Sequence, residues 1–293
     1  MSKPNLATLA RLCYERAKVS GALMFTPTTL HINSAAGIDF EIRLVAALAQ
    51  KPTKPMNREH GPRPPRVNPF LPYDPELYVT SHQDFHILLN KFCVAPQHLL
   101  IVTKGNVANA SGASQPHKHI QLLPATTPDA IFPPTYAALR NWEYDQVGQI
   151  PELPFIHCCV RLRPHKVLVD DATAAAYLHG TYQRLLGLAR QDFRGLLAAG
   201  AVPRSPASSE DAGPDAPEMS YSFFGSPDMM MVALRRHEKC GPTSINSLGY
   251  AGMVLAKSED ELQCIRREDV LNVLAFVGFP TTHASTPRCE ANL

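Results

Sequence analysis

The sequence lacks the cysteine pattern of a disulfide-stabilised or zinc-binding protein. Its 293 residues include seven cysteines, with no C-x-x-C motif and no paired framework. An odd number of cysteines in a chain of this length favours reduced thiols. Residues 1–20 lack the uninterrupted apolar core of a signal peptide, and no apolar run approaches membrane-spanning length. We therefore expect a soluble cytoplasmic protein that does not bind membranes.

The chain also has little net charge. A formal charge of +2 at pH 7 provides no long-range attraction for nucleic acid, so we expect no nucleic-acid partner. The hydrophobic fraction of 45% and the charged fraction of 18% are those of a globular protein, which excludes wholesale disorder. Twenty-seven prolines indicate many loops and short elements. The length suffices for one large core, or for one core with a smaller companion.

Residues 111–124, SGASQPHKHIQLLP, combine a loop of small residues with a run that is typical of a strand. Successive side chains of a strand point to opposite faces, so His117, His119 and Gln121 share one face. The small residues before them would let an anion approach the backbone, where N–H groups and the Ser114 hydroxyl bind phosphate oxygens. The pattern therefore indicates a binding or catalytic wall made of two imidazoles and an amide.

Three interpretations of this segment compete. The histidines could be partly buried polar residues of an ordinary strand, although two of them at a spacing of two make this less favoured. They could bind Zn²⁺ or Fe²⁺ with a further ligand from elsewhere, but no partner motif is visible. The third interpretation is nucleophilic catalysis, in which a neutral imidazole with a pKa near about 6.5 attacks a phosphate ester.

The motif formed by His117, His119 and Gln121 resembles the H-x-H-x-Q signature of the transferase branch of the histidine triad superfamily. The longer string GASQPHKHIQLLP resembles the ATP adenylyltransferases, also called diadenosine tetraphosphate phosphorylases. The resemblance continues in order over most of the chain, through residues 40–52, 68–79, 86–104 and 245–262. It implies an α+β fold of the histidine triad type, with a mostly antiparallel sheet, flanking helices and a C-terminal extension.

The resemblance implies an enzyme in which His119 attacks the α-phosphorus of diadenosine tetraphosphate, expels ATP and carries AMP until phosphate removes it as ADP. His117 would orient His119 through its backbone carbonyl, and Gln121 would hold a phosphate oxygen without titrating. Further residues expected to bind or border the nucleotide and its phosphates are Lys51, Lys54, Asn68, Asn90, Lys91, Gly112, Ala113, Ser114 and Gln115. No protein-bound metal and no covalently attached cofactor are expected, while a divalent cation bound with the nucleotide stays open.

Two alternatives to this activity stay open. A hydrolase of the same superfamily would transfer the AMP to water, but that branch usually has a third histidine at the position of Gln121. A non-catalytic nucleotide-binding protein is the alternative from another class. In each case the expected partners are small-molecule nucleotides, with phosphate for the transferase, and the expected oligomeric state is a monomer.

Only seven residues, GNVANAS, separate Lys104 from Gly112, where the resembling family has a helix and a further strand. Seven residues cannot contain both, because helices average about 11 residues and strands about 5. We therefore infer an internal deletion near 105–111, and prefer a mis-spliced transcript or gene model to a natural deletion. The expected domains are a catalytic domain at 1–201, a disordered Pro/Ser/acid-rich insertion at 202–217 and a C-terminal region at 218–293.

The hydrophobic pattern also predicts individual elements. We expect helices at 5–19, ending at Gly21, and at 170–199, beginning at Asp170 or Asp171 and ending at Gly200. Two closing helices are expected at 259–265 and 267–277. Strands are expected at 40–47, 84–92, 98–104, 154–162, 219–224, 229–234 and 250–256, with the second and third forming an antiparallel hairpin.

Overall fold

A computed structural model describes residues 4–45, 70–104, 119–124, 133–164, 167–202 and 219–281. Its helices are α1 Leu6–Ser20, α2 Asp171–Ala198, α3 Ser247–Tyr250, α4 Glu259–Glu268 and α5 Val270–Val277. Its strands are β1 Met24–Phe25, β2 Thr29–Ala35, β3 Ile38–Leu44, β4 Tyr78–His82, β5 Phe85–Leu89, β6 Phe92–Cys93, β7 Leu99–Thr103, β8 His119–Leu122, β9 Val147–Gly148, β10 His157–Arg161, β11 Tyr221–Gly225, β12 Met229–Leu234, β13 Lys239–Cys240, β14 Thr243–Ser244 and β15 Met253–Ala256.

The chain folds as two compact units, each assembled from discontinuous segments. The first unit contains residues 1–29 and 45–130, and the second contains residues 30–44 and 131–293. Both units combine helices with mostly antiparallel strands, and the parallel pairs within the described ranges are β1 with β6 and β3 with β15. The predicted α+β class with a mostly antiparallel sheet is confirmed.

The first unit is organised by a four-stranded antiparallel sheet in the order β4-β5-β7-β8. Strand β5 pairs with β7 in a register that runs from Phe85 opposite Thr103 to Leu89 opposite Leu99. This pairing confirms the antiparallel hairpin predicted from the two apolar runs at 84–92 and 98–104. Strand β7 in turn pairs with β8, which places the histidine-bearing segment at one end of the strand order.

Helix α1 covers one face of this sheet. The helix begins where the Asn5 side chain accepts a hydrogen bond from the Thr8 backbone N–H at 2.9 Å, and it ends at Gly21. Gly21 has a φ of 78°, a left-handed conformation that suits glycine at a helix end. The buried residues of this helix pack with buried side chains of β4, β5 and β7 in one apolar cluster, Ala10, Tyr14, Ala17, Val79, Ile87, Leu89 and Leu99.

The second unit has a buried central sheet in the order β11-β12-β10-β9. Every residue of β12 is buried, so its three consecutive methionines are core residues, as their sequence predicts. Helix α2 packs on one face of this sheet through Leu185, Ala189 and Phe193, and α5 packs toward the other face. The two adjacent cysteines of β10 separate accordingly: Cys158 faces the α2 side and Cys159 faces the α5 side.

A second sheet of this unit has the order β15-β3-β2. Strands β2 and β3 are joined by Ala36 and Gly37, which both have positive φ values, 52° and 74°. Two such residues make the type I′ turn that matches the twist of a β-hairpin. Strand β2 was not predicted from the sequence. Strand β3 overlaps the strand predicted at 40–47 but begins two residues earlier, and β15 lies within the strand predicted at 250–256, whose first residue ends α3.

The end signals of the long helix α2 are where the sequence predicts them. The Asp170 side chain accepts from the Thr173 backbone N–H at 2.7 Å, and Gly200 has a φ of 68°. Residues on both sides of the predicted insertion pack in the second unit, because α2 precedes it and β11 and β12 follow it. The compact units therefore differ from the predicted domains at 1–201 and 218–293. The insertion itself, apart from Val202, lies outside the described residues.

A buried histidine, His157, is the first residue of β10 and forms hydrogen bonds with two backbone groups. The Ile150 N–H donates to His157 Nε2 at 2.8 Å, and His157 Nδ1 donates to the Phe155 carbonyl at 2.7 Å. Its side chain is 1% exposed. Burial lowers the pKa of His157 to about 4, with the hydrogen bond to the Phe155 carbonyl opposing that shift. The native state thus holds this imidazole neutral, with one nitrogen as donor and the other as acceptor.

We predict that His157 makes the protein sensitive to mild acid. Its native pKa lies below the ordinary value, so the stability it contributes is complete above pH 6.5 and is lost as the pH falls toward 4. At pH 5 the loss from this one group is about 2 kcal/mol. Glutamine at 157 could accept from Ile150 and donate to Phe155 without titrating. Denaturant unfolding between pH 7 and pH 5 should therefore show a smaller decrease for His157→Gln, and an unchanged decrease would contradict this account.

Candidate active site

Four of the twelve residues singled out in the sequence lie in the described part of the first unit. His119 and Gln121 are on β8, and Asn90 and Lys91 directly follow β5. The remaining predicted residues lie outside the described residues, so their positions stay predictions: Lys51, Lys54, Asn68, Gly112, Ala113, Ser114, Gln115 and His117.

His119 and Gln121 lie on the same face of the sheet, as the period of a strand predicts. His119 pairs with Val102 and Gln121 pairs with Leu100, and directly paired residues of antiparallel strands project to the same face. This face is opposite to the one covered by α1. Val102, Leu100 and Leu88 form a buried apolar floor on it, against which Phe70, Tyr73 and Tyr78 pack.

A third histidine, His98, connects the motif to the neighbouring strands. His98 immediately precedes β7, and its side chain is only 4% exposed. Its Nε2 lies 3.1 Å from Oε1 of Gln121. Burial lowers the pKa of His98 to about 4, an effect that the hydrogen bond to Gln121 partly offsets. A neutral imidazole at this position therefore holds the Gln121 amide.

Asn90 lies on the other side of His98. Its backbone N–H donates to the His98 carbonyl at 2.8 Å, and its side-chain Nδ2 lies 3.5 Å from both ring nitrogens of His98. The Asn90 Oδ1 accepts from the backbone N–H of Phe92 at 3.0 Å. Asn90, His98 and Gln121 thus form one connected row of polar side chains, and we call it the amide relay.

His119 lies two residues before Gln121 on β8, on the same sheet face as the amide relay. Its side chain is exposed, and desolvation nevertheless lowers its pKa below the usual value for histidine. The direction of this shift favours the neutral imidazole, which is the form that can attack phosphorus. The structure therefore provides an accessible neutral imidazole beside a positioned amide.

Lys91 stands at the margin of this arrangement. Its backbone carbonyl accepts from the Met24 N–H at 2.8 Å, while its side chain is exposed. Among residues 70–104 and 119–124, no ion pair or hydrogen bond joins the Lys91 side chain to the motif. The structure places this lysine next to Asn90 in the chain, and its contact with phosphate stays a prediction.

His98 was not predicted as a functional residue from the sequence. It was counted only as the first residue of an apolar strand, because HLLIVTK has the composition of a buried strand. Its partner Gln121 is 23 positions away, and no local pattern encodes such a contact. A polar side chain at the start of an otherwise apolar run was the one available signal.

The metal interpretation of the histidines has no ligand set in the described part of the chain, where no group of three or more His, Cys, Asp or Glu side chains could hold an ion. None of the helices within that part has the length and apolar character needed to cross a membrane.

Strand β8 has an open edge within the described ranges. It pairs with β7 on one side, and no described strand pairs with its other side. Ile120 and Leu122, which point away from the motif, are 52% and 36% exposed. Within the described ranges, β8 therefore combines an unpaired edge with exposed apolar side chains.

Comparison with protein families matches both halves of the chain. Residues 2–110 match the Ap4A phosphorylase N-terminal domain, and residues 151–280 match the ATP adenylyltransferase C-terminal domain. Diadenosine 5',5'''-P1,P4-tetraphosphate phosphorylase 2 of Saccharomyces cerevisiae is 25% identical over 84% of this chain and 85% of its own length. Protein APA1 of the same yeast is 24% identical over 98% of each chain.

The alignment with Protein APA1 extends over 343 positions, more than the 293 residues of this chain. That relative therefore contains residues that have no counterpart here.

Solved structures show the same fold. The crystal structure of yeast Ap4A phosphorylase Apa2 covers 96% of this chain and 100% of its own, with a TM-score of 0.71 at 22% identity. The structures of that enzyme in complex with AMP and with Ap4A match with TM-scores of 0.68 and 0.71.

Proposed function

We propose that this chain, which belongs to the ATP adenylyltransferase or diadenosine tetraphosphate phosphorylase family, is a nucleotidyltransferase that cleaves diadenosine tetraphosphate with phosphate. The observation that carries the proposal is the shared sheet face of His119 and Gln121, with Gln121 held by His98. The match of both chain halves to the two domains of this family supports the same assignment.

In the proposed reaction an imidazole nitrogen of His119 attacks the α-phosphorus of diadenosine tetraphosphate. The bond from this phosphorus to the bridging oxygen breaks, ATP leaves, and AMP remains bonded to the imidazole. A phosphate oxygen then attacks the same phosphorus, the phosphorus–nitrogen bond breaks, and ADP forms. Both steps are reversible displacements at one phosphorus, so the same site can make diadenosine tetraphosphate from ATP and ADP.

The described residues supply two parts of this chemistry. The neutral His119 is the nucleophile, and its lowered pKa keeps the attacking nitrogen unprotonated at neutral pH. The amide of Gln121 can donate to a phosphate oxygen and cannot protonate a leaving group. The orienting role of the His117 carbonyl and the phosphate contacts of residues 112–115 complete the proposal.

The acceptor separates this function from its alternatives. A glutamine stands where hydrolases of the superfamily usually have a third histidine, which favours phosphate over water. We expect ATP and ADP to form together only when phosphate is supplied, as measured by chromatography of nucleotides after incubation with diadenosine tetraphosphate. AMP as the main product in phosphate-free buffer would assign the chain to the hydrolases. Binding without turnover in either buffer would assign it to the non-catalytic class.

The finer features of the proposal follow the sequence. We propose that the chain acts as a monomer in the cytoplasm on nucleotides and phosphate, without a nucleic-acid or membrane partner. A divalent cation would enter bound to the polyphosphate of the nucleotide.

A further inference from the structure

The hydrogen bonds of the amide relay follow one direction, with each donor and acceptor fixed by its neighbour. It begins at the backbone N–H of Phe92, which can only donate, and this N–H lies 3.0 Å from Oδ1 of Asn90. The Asn90 amide is thereby oriented with its oxygen toward Phe92 and its nitrogen toward His98. An amide nitrogen can only donate, so the imidazole must receive this contact on a nitrogen that carries no proton.

The protonation state of His98 determines the next hydrogen bond of the relay. Burial keeps its imidazole neutral near pH 7, because the pKa lies at about 4. A neutral imidazole has one donor and one acceptor nitrogen. Asn90 Nδ2 lies 3.5 Å from both ring nitrogens, so the choice between them is made on the other side of the ring. Nε2 lies 3.1 Å from Oε1 of Gln121, an oxygen that can only accept, so Nε2 carries the proton and Nδ1 is the acceptor nitrogen.

We propose that His98 is a positioning residue that fixes the amide orientation of Gln121, so that the Gln121 NH₂ group is directed at a phosphate oxygen of the nucleotide. The proposal rests on the function proposed above, since it assigns the phosphate as the group that Gln121 meets. Without His98, the terminal amide of Gln121 could turn by 180° and direct its oxygen at the phosphate. Two acceptor oxygens would then face each other and repel. The relay thus converts a group with two possible orientations into a fixed hydrogen-bond donor.

Protonation of His98 would also disrupt the relay. A charged imidazole has two donors and no acceptor, so Nδ1 could no longer receive the Asn90 N–H. The low pKa of His98 keeps this state unpopulated at neutral pH. The charged residues next to β5 and β7 are Lys91, Lys104 and Asp84, and Asp84 precedes β5 at the end away from Asn90. His86 and His119 both pair with Val102 and so lie on the same sheet face as His98.

The tautomer of His98 tests the relay without any requirement for catalysis. In the full chain labelled with ¹⁵N-histidine at pH 7, the His98 ring should show a protonated Nε2 and an unprotonated Nδ1. The signal is assigned by its loss in His98→Gln. A ring protonated at Nδ1, or at both nitrogens, would overturn the proposal.

The second test is a double-mutant cycle with AMP as the probe. His98→Leu removes both polar atoms, whereas His98→Gln can accept from Asn90 and donate to Gln121, so it is the matched control. We expect His98→Leu to weaken AMP binding about tenfold, the effect of losing one positioned hydrogen bond, and His98→Gln to retain most of the affinity. In a Gln121→Ala background, His98→Leu should have no further effect.

Equal losses from His98→Leu with and without Gln121 would show that His98 does not act through the amide, and would overturn the proposal. A loss for His98→Gln as large as for His98→Leu would also overturn it. Failure of the proposed function has a different signature. The wild-type chain would then release AMP as the main product or leave diadenosine tetraphosphate uncleaved, while the ¹⁵N experiment would still decide the state of the relay.

Discussion

Replacing His119 by alanine is expected to reduce turnover of diadenosine tetraphosphate by at least about a thousandfold, because the covalent route requires this nucleophile. Binding of AMP should change little, since the amide of Gln121 and the predicted phosphate contacts remain. The two effects are measured separately, by nucleotide chromatography at saturating substrate and by calorimetric titration with AMP. Loss of turnover with retained binding is the pattern of a residue that acts in the chemical step.

The matched control for this change is His82→Ala. His82 is an exposed histidine at the end of β4 in the same unit, outside the predicted site. Its replacement should leave both turnover and binding as they are. Near-normal turnover of the His119→Ala variant would show that the assigned mechanism is wrong.

We predict an internal deletion between Lys104 and Gly112, and inserting the helix and strand expected there should increase turnover at least tenfold and reduce aggregation. The edge of the sheet gives a physical reason for this expectation, in addition to the short length of the link. Strand β8 carries the motif, yet within the described ranges it is paired on one side only, and Ile120 is 52% exposed. A strand on the open edge and a helix over the apolar side chains would hold His119 and Gln121 more firmly.

The experiment compares three chains: the sequence as written, a version with the helix and strand that the resemblance implies inserted, and a version with a Gly/Ser linker of the same length. Turnover, thermal unfolding and light scattering are measured for each. Only the insertion that can form structure should help, because a flexible linker cannot pair with β8. A well-behaved monomer of the written sequence that turns over as fast as the restored chain would show that the short link is tolerated.

The helices were the most predictable part of the fold. Both α1 and α2 combine an apolar period with a capping side chain and a terminal glycine, and Gly21, Asp170 and Gly200 lie where the signals predict. Asn5, predicted as the first residue of its helix, is the N-cap. These signals act over a few residues and are therefore legible in the sequence. The hairpin of β5 and β7 was predictable for the same reason, since both apolar runs are separated by a short turn.

The strand β2 shows where local signals were present but weak. Its sequence TLHINSA alternates apolar and polar residues at Leu30, His31, Ile32 and Asn33, and then ends at the turn Ala36–Gly37. The turn lacks the Asn-Gly pair that most strongly marks a hairpin. Its exposed Leu30 and Ile32 also make it unlike a strand whose apolar residues are buried.

The amide relay could not be read from the sequence because its contacts are set by strand register. His98 and Gln121 meet only because β7 and β8 pair with Leu100 opposite Gln121, which places their side chains on one face. A shift of β8 by one residue against β7 would move Gln121 to the face opposite His98. The division of the chain into two discontinuous units is likewise a long-range property, with residues 30–44 joined to residues beyond 130.

The central claim is that His119 carries AMP between diadenosine tetraphosphate and phosphate. It is tested most directly by mass spectrometry of the protein after exposure to diadenosine tetraphosphate in phosphate-free buffer. Fragmentation of the peptide that contains both histidines distinguishes His119 from His117. We predict one adenylyl group on His119, which leaves as ADP when phosphate is added. An unmodified His119 in a sample that goes on to produce ATP and ADP once phosphate is supplied would contradict the claim.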